Sequence, residues 1–173
     1  MVDAIKEAFE NCNPNNCIST VTYSTFKVFD RNDDCCFICT ENEPQSLQFF
    51  TVNNPTEKSI SFLAIDKCTI VVDSHKKCDC AVFDDASFYF VEMKTASTGA
   101  RSKRKLDAFN QLKHCIGVFM DKINFDNYDT FALISFGSRY VFPRTSSTNM
   151  ARRKELLDMY KVKLIEGNLI EFD

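Results

Sequence analysis

Residues 77–94 read Lys77-Cys78-Asp79-Cys80-Ala81-Val82-Phe83-Asp84-Asp85-Ala86-Ser87-Phe88-Tyr89-Phe90-Val91-Glu92-Met93-Lys94. Two apolar, strand-like segments flank Asp84-Asp85-Ala86-Ser87, the most turn-prone four residues of the region, so the stretch predicts a β-hairpin. If the hairpin turns symmetrically about Asp85 and Ala86, Phe83 faces Phe88, Val82 faces Tyr89 and Asp79 faces Glu92. Cross-strand partners have Cβ atoms roughly 5 Å apart, and like charges at that distance destabilise a sheet. A divalent cation would offset the repulsion, because Mg²⁺ takes carboxylate oxygens at about 2.1 Å and keeps its other positions for water and phosphate. Side chains alternate along a strand, so Lys94 projects on the face of Glu92 and Asp79, while Cys78 and Cys80 turn away as packing residues.

Outward from the hairpin, Thr95 opens a basic, small-residue loop. Leu106, Phe109, Leu112, Ile116, Phe119 and Ile123 then recur at three and four, the pattern of one face of a long helix. On the other side, Asn54-Pro55-Thr56-Glu57 has the form of an N-cap, a Pro at the first helical position and a capping-box Glu. It predicts a helix through Ile60, Phe62, Leu63 and Ile65, handing over near Lys67 to a β-branched strand at 68–72. Further strands are expected at Thr20 to Phe29, Cys35 to Thr40, Leu47 to Val52, Thr130 to Phe136 and Arg139 to Phe142. Helices are expected near Val2 to Glu10 and from Ser147 to Tyr160, capped by Ser147 or Thr148. A closing hairpin, Val162 to Ile165 and Leu169 to Phe172, turns at Glu166-Gly167-Asn168. The interleaving predicts an α/β fold, a mixed β-sheet flanked by helices.

Composition sets the bounds. The chain has 173 residues, 45% of them hydrophobic with 17 Phe, and only 4 Gly and 4 Pro. That suits one domain with a sizeable core and no linker or repeat. The opening residues lack a basic start followed by an apolar block, and no apolar run reaches the roughly 18 residues that span a bilayer. The expectation is a cytoplasmic protein without membrane contact, its nine Cys reduced and serving as small hydrophobes. The net charge of -3 is uneven: residues 1–93 hold 7 Lys/Arg against 15 Asp/Glu, and residues 94–173 hold 14 against 9. An anionic partner would approach the second half.

Asp79, then twelve residues, then Glu92-Met93-Lys94 within a hairpin, followed by a long helix, resembles the PD-(D/E)xK phosphodiesterase superfamily over roughly residues 54–123. The residue before Asp79 is Cys78 rather than Pro, a position where the family varies. The resemblance implies a restriction-endonuclease-like core, about residues 54–142, with an N-terminal β-rich extension. By resemblance Asp79 and Glu92 hold Mg²⁺ or Mn²⁺, Lys94 assists catalysis and Gln111 orients substrate. Glu57 matches an auxiliary acid more weakly. The implied activity is metal-dependent nuclease hydrolysis of phosphodiester bonds, with DNA the first candidate. The alternative is a catalytically inactive nuclease-like module that binds a protein or nucleic-acid partner, since the fold supports both. Small cores of this kind are often homodimers or attached to a protein partner.

Arg101, Lys103, Arg104 and Lys105 lie where the long helix begins, a position that favours anions, and are assigned to substrate binding. Arg139, Arg144, Arg152 and Arg153 are candidates to extend this patch, though the reading as ordinary surface charges is favoured for them. Cys35, Cys36, Cys39, Cys78 and Cys80, with His75, invite a zinc or iron–sulfur reading, but no CxxC pairs recur at zinc-ribbon spacing. His114 and Cys115 are adjacent on a helix, diverge by about 100° and cannot act as a nucleophile–base pair. No phosphate-cradling or serine-hydrolase motif is present.

Overall fold

The computed structural model describes residues 1–31, 34–40, 48–71, 76–94, 101–136 and 147–173. In chain order the elements are α1 (Val2–Ala8), β1 (Ile18–Val21), β2 (Thr25–Asp30), β3 (Phe37–Cys39), β4 (Gln48–Asn53), β5 (Ile60–Ala64), β6 (Cys80–Phe83), β7 (Ser87–Met93), α2 (Arg101–Met120), β8 (Asp129–Ser135), α3 (Ser147–Tyr160), β9 (Lys163–Glu166) and β10 (Leu169–Glu171). They form two mixed sheets with helices packed against them, an α/β architecture. The larger sheet has the order β1-β5-β6-β7-β8-β9 and the smaller β10-β4-β2-β3.

In the larger sheet β5, β6 and β7 form an antiparallel meander, while β7, β8 and β9 run parallel. Parallel neighbours need a crossover, and α2 supplies the one between β7 and β8. Its stripe of Phe109, Leu112, Ile116 and Phe119 is buried as the periodicity predicts, with Ala108 and Cys115 joining it and Leu106 left 44% exposed. The ring of Phe119 meets Phe90 of β7 edge-on at 5.3 Å and Phe9 at 4.5 Å. Burying a side chain such as Phe90 contributes about 2–3 kcal/mol. The opposite face of the same sheet carries Tyr89, packed against Phe131 at 4.5 Å and against Phe172 beside β10 at 5.4 Å. A second sheet, not a helix, therefore covers this face.

Several local expectations are corrected. The Asn54-Pro55-Thr56-Glu57 signature does not start a helix. Asn54 is fully buried, its side-chain amide donates to the carbonyls of Tyr23 (3.1 Å) and Lys58 (2.9 Å), and Glu57 takes a left-handed φ of 52°. The apolar run that follows is β5, buried at every position. The stretch after Lys67, itself at φ 60°, is a turn with an isolated bridge between Asp66 and Ile70, not a strand, up to residue 71. The span expected as one strand from Thr20 divides at residues 22–24 into β1 and β2, which enter different sheets. The closing hairpin is not one either: β9 pairs with β8 and β10 with β4. The backbone crosses between the sheets at Gly167, whose N–H donates to Ile134 (3.2 Å), and Asn168, whose carbonyl accepts from Thr51 (2.8 Å).

The strand expected at Arg139 to Phe142 lies outside the described residues, as do Arg144 and His75 and the side chains of Ser147 and Thr148. Among the described residues no helix is long and apolar enough to cross a membrane. The expectation of reduced thiols throughout fails at Cys17 and Cys68, which form a disulfide between the start of β1 and the turn after β5. The buried apolar side chains otherwise make one cluster that runs through both sheets and α2.

Candidate active site

The site is built on the β6–β7 hairpin. At its closed end the Asp84 carboxylate accepts the N–H groups of Ala86 (3.0 Å) and Ser87 (2.6 Å), and Asp84 N–H donates to the Ser87 carbonyl (3.1 Å), which fixes the turn. The register is the one the symmetric turn predicts, from Phe83 opposite Phe88 to Cys80 opposite Val91.

One pair further on, that register breaks. Asp79 N–H donates to the carbonyl of Val91 (3.1 Å), the residue already paired with Cys80, so two residues of one strand oppose one of the other. This is a β-bulge, a device that bends a strand and re-aims a side chain. Asp79 and Glu92 are therefore not a directly facing pair, as simple alternation would have them. Instead the Asp79 carboxylate accepts the Met93 N–H at 2.5 Å. The bulge also separates the two neighbouring thiols. Cys78 turns to Cys115 on α2, whereas Cys80 meets Cys36 from the smaller sheet.

Glu92 is fully buried on the helix side of the sheet. The Lys94 ammonium pairs with its Oε1, and its equally buried Oε2 has no hydrogen-bond partner among the described residues. Lys94 keeps 24% of its side chain exposed, and its backbone N–H extends the ladder to the Ser135 carbonyl (2.7 Å). Burial pushes the Asp79 carboxyl up to about 7; the Met93 N–H opposes this, Asp30 and Asp66 add to it, and Lys94 counters them. Burial, then the Asp79 charge, raises Glu92 well above the ordinary carboxylate range, against the pull of Lys94. Lys94 is itself raised: burial works against its charge, but Glu92, Asp79 and Asp30 outweigh it. Carboxyls that resist ionisation beside an ammonium cluster at functional sites and also occur in structural ion-pair networks.

Asp30 is the participant that the sequence reading missed. Phe26 and Val28 of β2 pair with Val52 and Phe50 of β4, all four fully buried, and the next pair in this inward series is Asp30 with Gln48. The smaller sheet thus turns a carboxylate toward the end of the larger sheet where Asp79 and Lys94 lie, and its charge acts on both. The signal was the alternation of Phe26, Val28 and Asp30, continued one step past the apolar residues.

The remaining sequence candidates divide. The Gln111 amide donates to the Lys77 carbonyl at 3.1 Å, so this side chain is spent on holding the strand that leads to Asp79. Glu57 is exposed in the turn beside Lys58, whose ammonium sits 3.0 Å from Asp84. It therefore lies at the opposite end of the hairpin from Asp79, not next to it. Of the basic run, Lys103 is exposed and Arg104 half-buried. Lys105 is turned inward onto Glu166 at 2.5 Å, with the two side chains 15% and 5% exposed. The side chain of Arg101 lies outside the described residues. Arg152 and Arg153 are half-buried, and the Arg152 guanidinium lies over the Phe109 ring at 5.7 Å. Among the described residues no three His, Cys, Asp or Glu side chains form a ready-made metal cluster. Asp79 and Glu92 nonetheless suit a hard cation: both are carboxylates, and Glu92 Oε2 is a buried acceptor without a donor among the described residues. Comparison with protein-family models, curated proteins and solved structures finds no match to this chain.

Proposed function

We propose that the chain is a divalent-metal-dependent phosphodiesterase acting on nucleic acid, DNA first among its substrates, on a restriction-endonuclease-like core. The observation that carries this reading is the gathering of Asp79, Glu92 and Lys94 at the open end of one hairpin, with a buried carboxylate oxygen that has no hydrogen-bond partner among the described residues. The meander β5–β6–β7, the crossover helix α2 and the parallel strand β8 supply a topology that suits it.

Asp79 and Glu92 would hold Mg²⁺ or Mn²⁺, which when bound supplies Lewis-acid polarisation of a phosphate oxygen and of a water. The chain's own residues do the rest. Lys94, partly open to solvent and raised above its ordinary range by Glu92, Asp79 and Asp30 against burial, is placed to neutralise charge that develops on the phosphate. The Met93 N–H fixes the orientation of the Asp79 carboxylate, and the Gln111 amide fixes the strand leading to it. The exposed Lys103 on the first turn of α2 offers a contact for a phosphate backbone.

A specific observation also favours a second reading, a catalytically silent module that binds a protein or nucleic-acid partner. Glu92 has no exposed surface and already has Lys94 as counter-ion, and Lys105 is engaged by Glu166. Labelled single- and double-stranded DNA and RNA, incubated with Mg²⁺ or Mn²⁺, separate the two. Metal-dependent cleavage by the wild type that is lost in Asp79→Ala and Lys94→Ala establishes the phosphodiesterase. No cleavage together with no Mn²⁺ uptake by calorimetry leaves the binding module.

A further inference from the structure

Cys78 and Cys115 belong to no part of that chemistry, yet their sulfurs stand 2.7 Å apart with both residues fully buried. Ordinary non-bonded heavy-atom contact lies at roughly 3.5–4.0 Å. A disulfide bond lies near 2.05 Å. The pair is already inside the first distance and needs a small further approach to reach the second. The helix register holds it there through two contacts. Gln111 and Cys115 are four apart on α2 and so share a face. They dock on consecutive residues, the Gln111 amide on the Lys77 carbonyl and the Cys115 sulfur on Cys78.

We propose that Cys78 and Cys115 are a second cross-link site, two thiols that a small disulfide oxidant joins into a disulfide, fastening α2 to the strand end that carries Asp79. One thiolate attacks the oxidant, forming a mixed disulfide and releasing one small thiol. The second protein thiolate then attacks the protein sulfur of that mixed disulfide and releases the other small thiol. The two cysteines lose two electrons and two protons, which end on the two small thiols released. Both thiols are fully buried, so the exchange runs through openings in which α2 lifts from the strand end at Cys78 and then closes on re-docking.

The test does not depend on nuclease activity. The full chain is equilibrated with oxidised glutathione or kept with reduced glutathione, quenched in acid, denatured, alkylated and mapped by mass spectrometry. The expected result after oxidation is a peptide pair linked through Cys78 and Cys115, with Cys12, Cys35, Cys36, Cys39 and Cys80 still alkylated. The unfolding midpoint should rise by about 5 to 15 °C in the oxidised wild type. Cys115→Ser, treated identically, should show no rise. Alkylation of both Cys78 and Cys115 after oxidation overturns the proposal, as does a link through Cys36 and Cys80 instead. An equal rise in Cys115→Ser overturns it as well.

Discussion

The two ends of the β6–β7 hairpin each hold a sheltered aspartate, and the two aspartates are treated in opposite ways. Burial works against the charge of Asp84, but two backbone N–H groups and the Lys58 ammonium outweigh it and hold the carboxyl below its ordinary range. Asp79 has one backbone N–H, from Met93, set against burial and the charges of Asp30 and Asp66, and its carboxyl stands near 7. The same residue type therefore stabilises the fold at the closed end and strains it at the open end. A carboxylate kept at odds with its surroundings is expected where a ligand, not the protein, completes the shell.

The largest expected effect is on chemistry. On the proposed phosphodiesterase reading, Asp79→Ala or Glu92→Gln should lower the initial rate of metal-dependent cleavage by about 10³-fold, since each removes a carboxyl that would hold the metal. Asp84→Asn should leave that rate within about twofold of wild type; a loss at Asp84 equal to that at Asp79 would erase the distinction between the two ends. The buried Lys105–Glu166 pair provides a calibration of a fully satisfied charge. Glu166→Ala takes the carboxylate from a half-buried ammonium and should cost about 3 kcal/mol in urea unfolding at pH 7.

The pH dependence sharpens the comparison further. Because the folded-state value of Asp79 is raised, its contribution to stability is fully present below the unfolded value of 3.8 and is lost as pH rises toward about 7. Asp79→Asn, which keeps an acceptor for the Met93 N–H, should therefore stabilise the fold at pH 8 by about 1–3 kcal/mol and gain nothing at pH 3. Asp84 has the opposite sign: its contribution is present above 3.8 and is lost as pH falls through its lowered folded value. Asp84→Asn should cost about 1–2 kcal/mol at pH 7, with the deficit disappearing in strong acid. The smallest effect is expected at Asp30. Asp30→Asn should move the Asp79 titration below about 7 in a carbon-detected carboxyl titration, and an unmoved midpoint would remove Asp30 from the site.

The hairpin was legible because its information is local. Asp84 to Ser87 specify the turn, and alternation fixes every pair down to Cys80 and Val91. The long helix was legible for the same reason, apart from Leu106 at its start. What escaped was set by partners distant in sequence. Asn54 reads as a cap until its amide is seen bridging Tyr23 and Lys58, and a run as apolar as Ile60 to Ile65 carries no period that separates helix from strand. The arms around Gly167 have the composition of a hairpin, but which sheet each arm joins depends on β8 and β4. The spacing singled out Asp79, Glu92 and Lys94, and the structure brings these three to the same end of the hairpin. The bulge that aims Asp79, the position of Asp30 and the disulfide depend on contacts across the fold.

The crossing at Gly167 and Asn168 has a consequence for cooperativity. Among the described residues, nine consecutive ones, Lys163 to Glu171, close the edge of the larger sheet beside β8 and the edge of the smaller one beside β4. Neither layer reaches its full width before this segment docks, and detaching it exposes both layers at once. The two sheets should therefore melt as one unit, and amide protons of Thr51 and Ile134 should exchange with solvent through the same opening reaction despite lying in different layers.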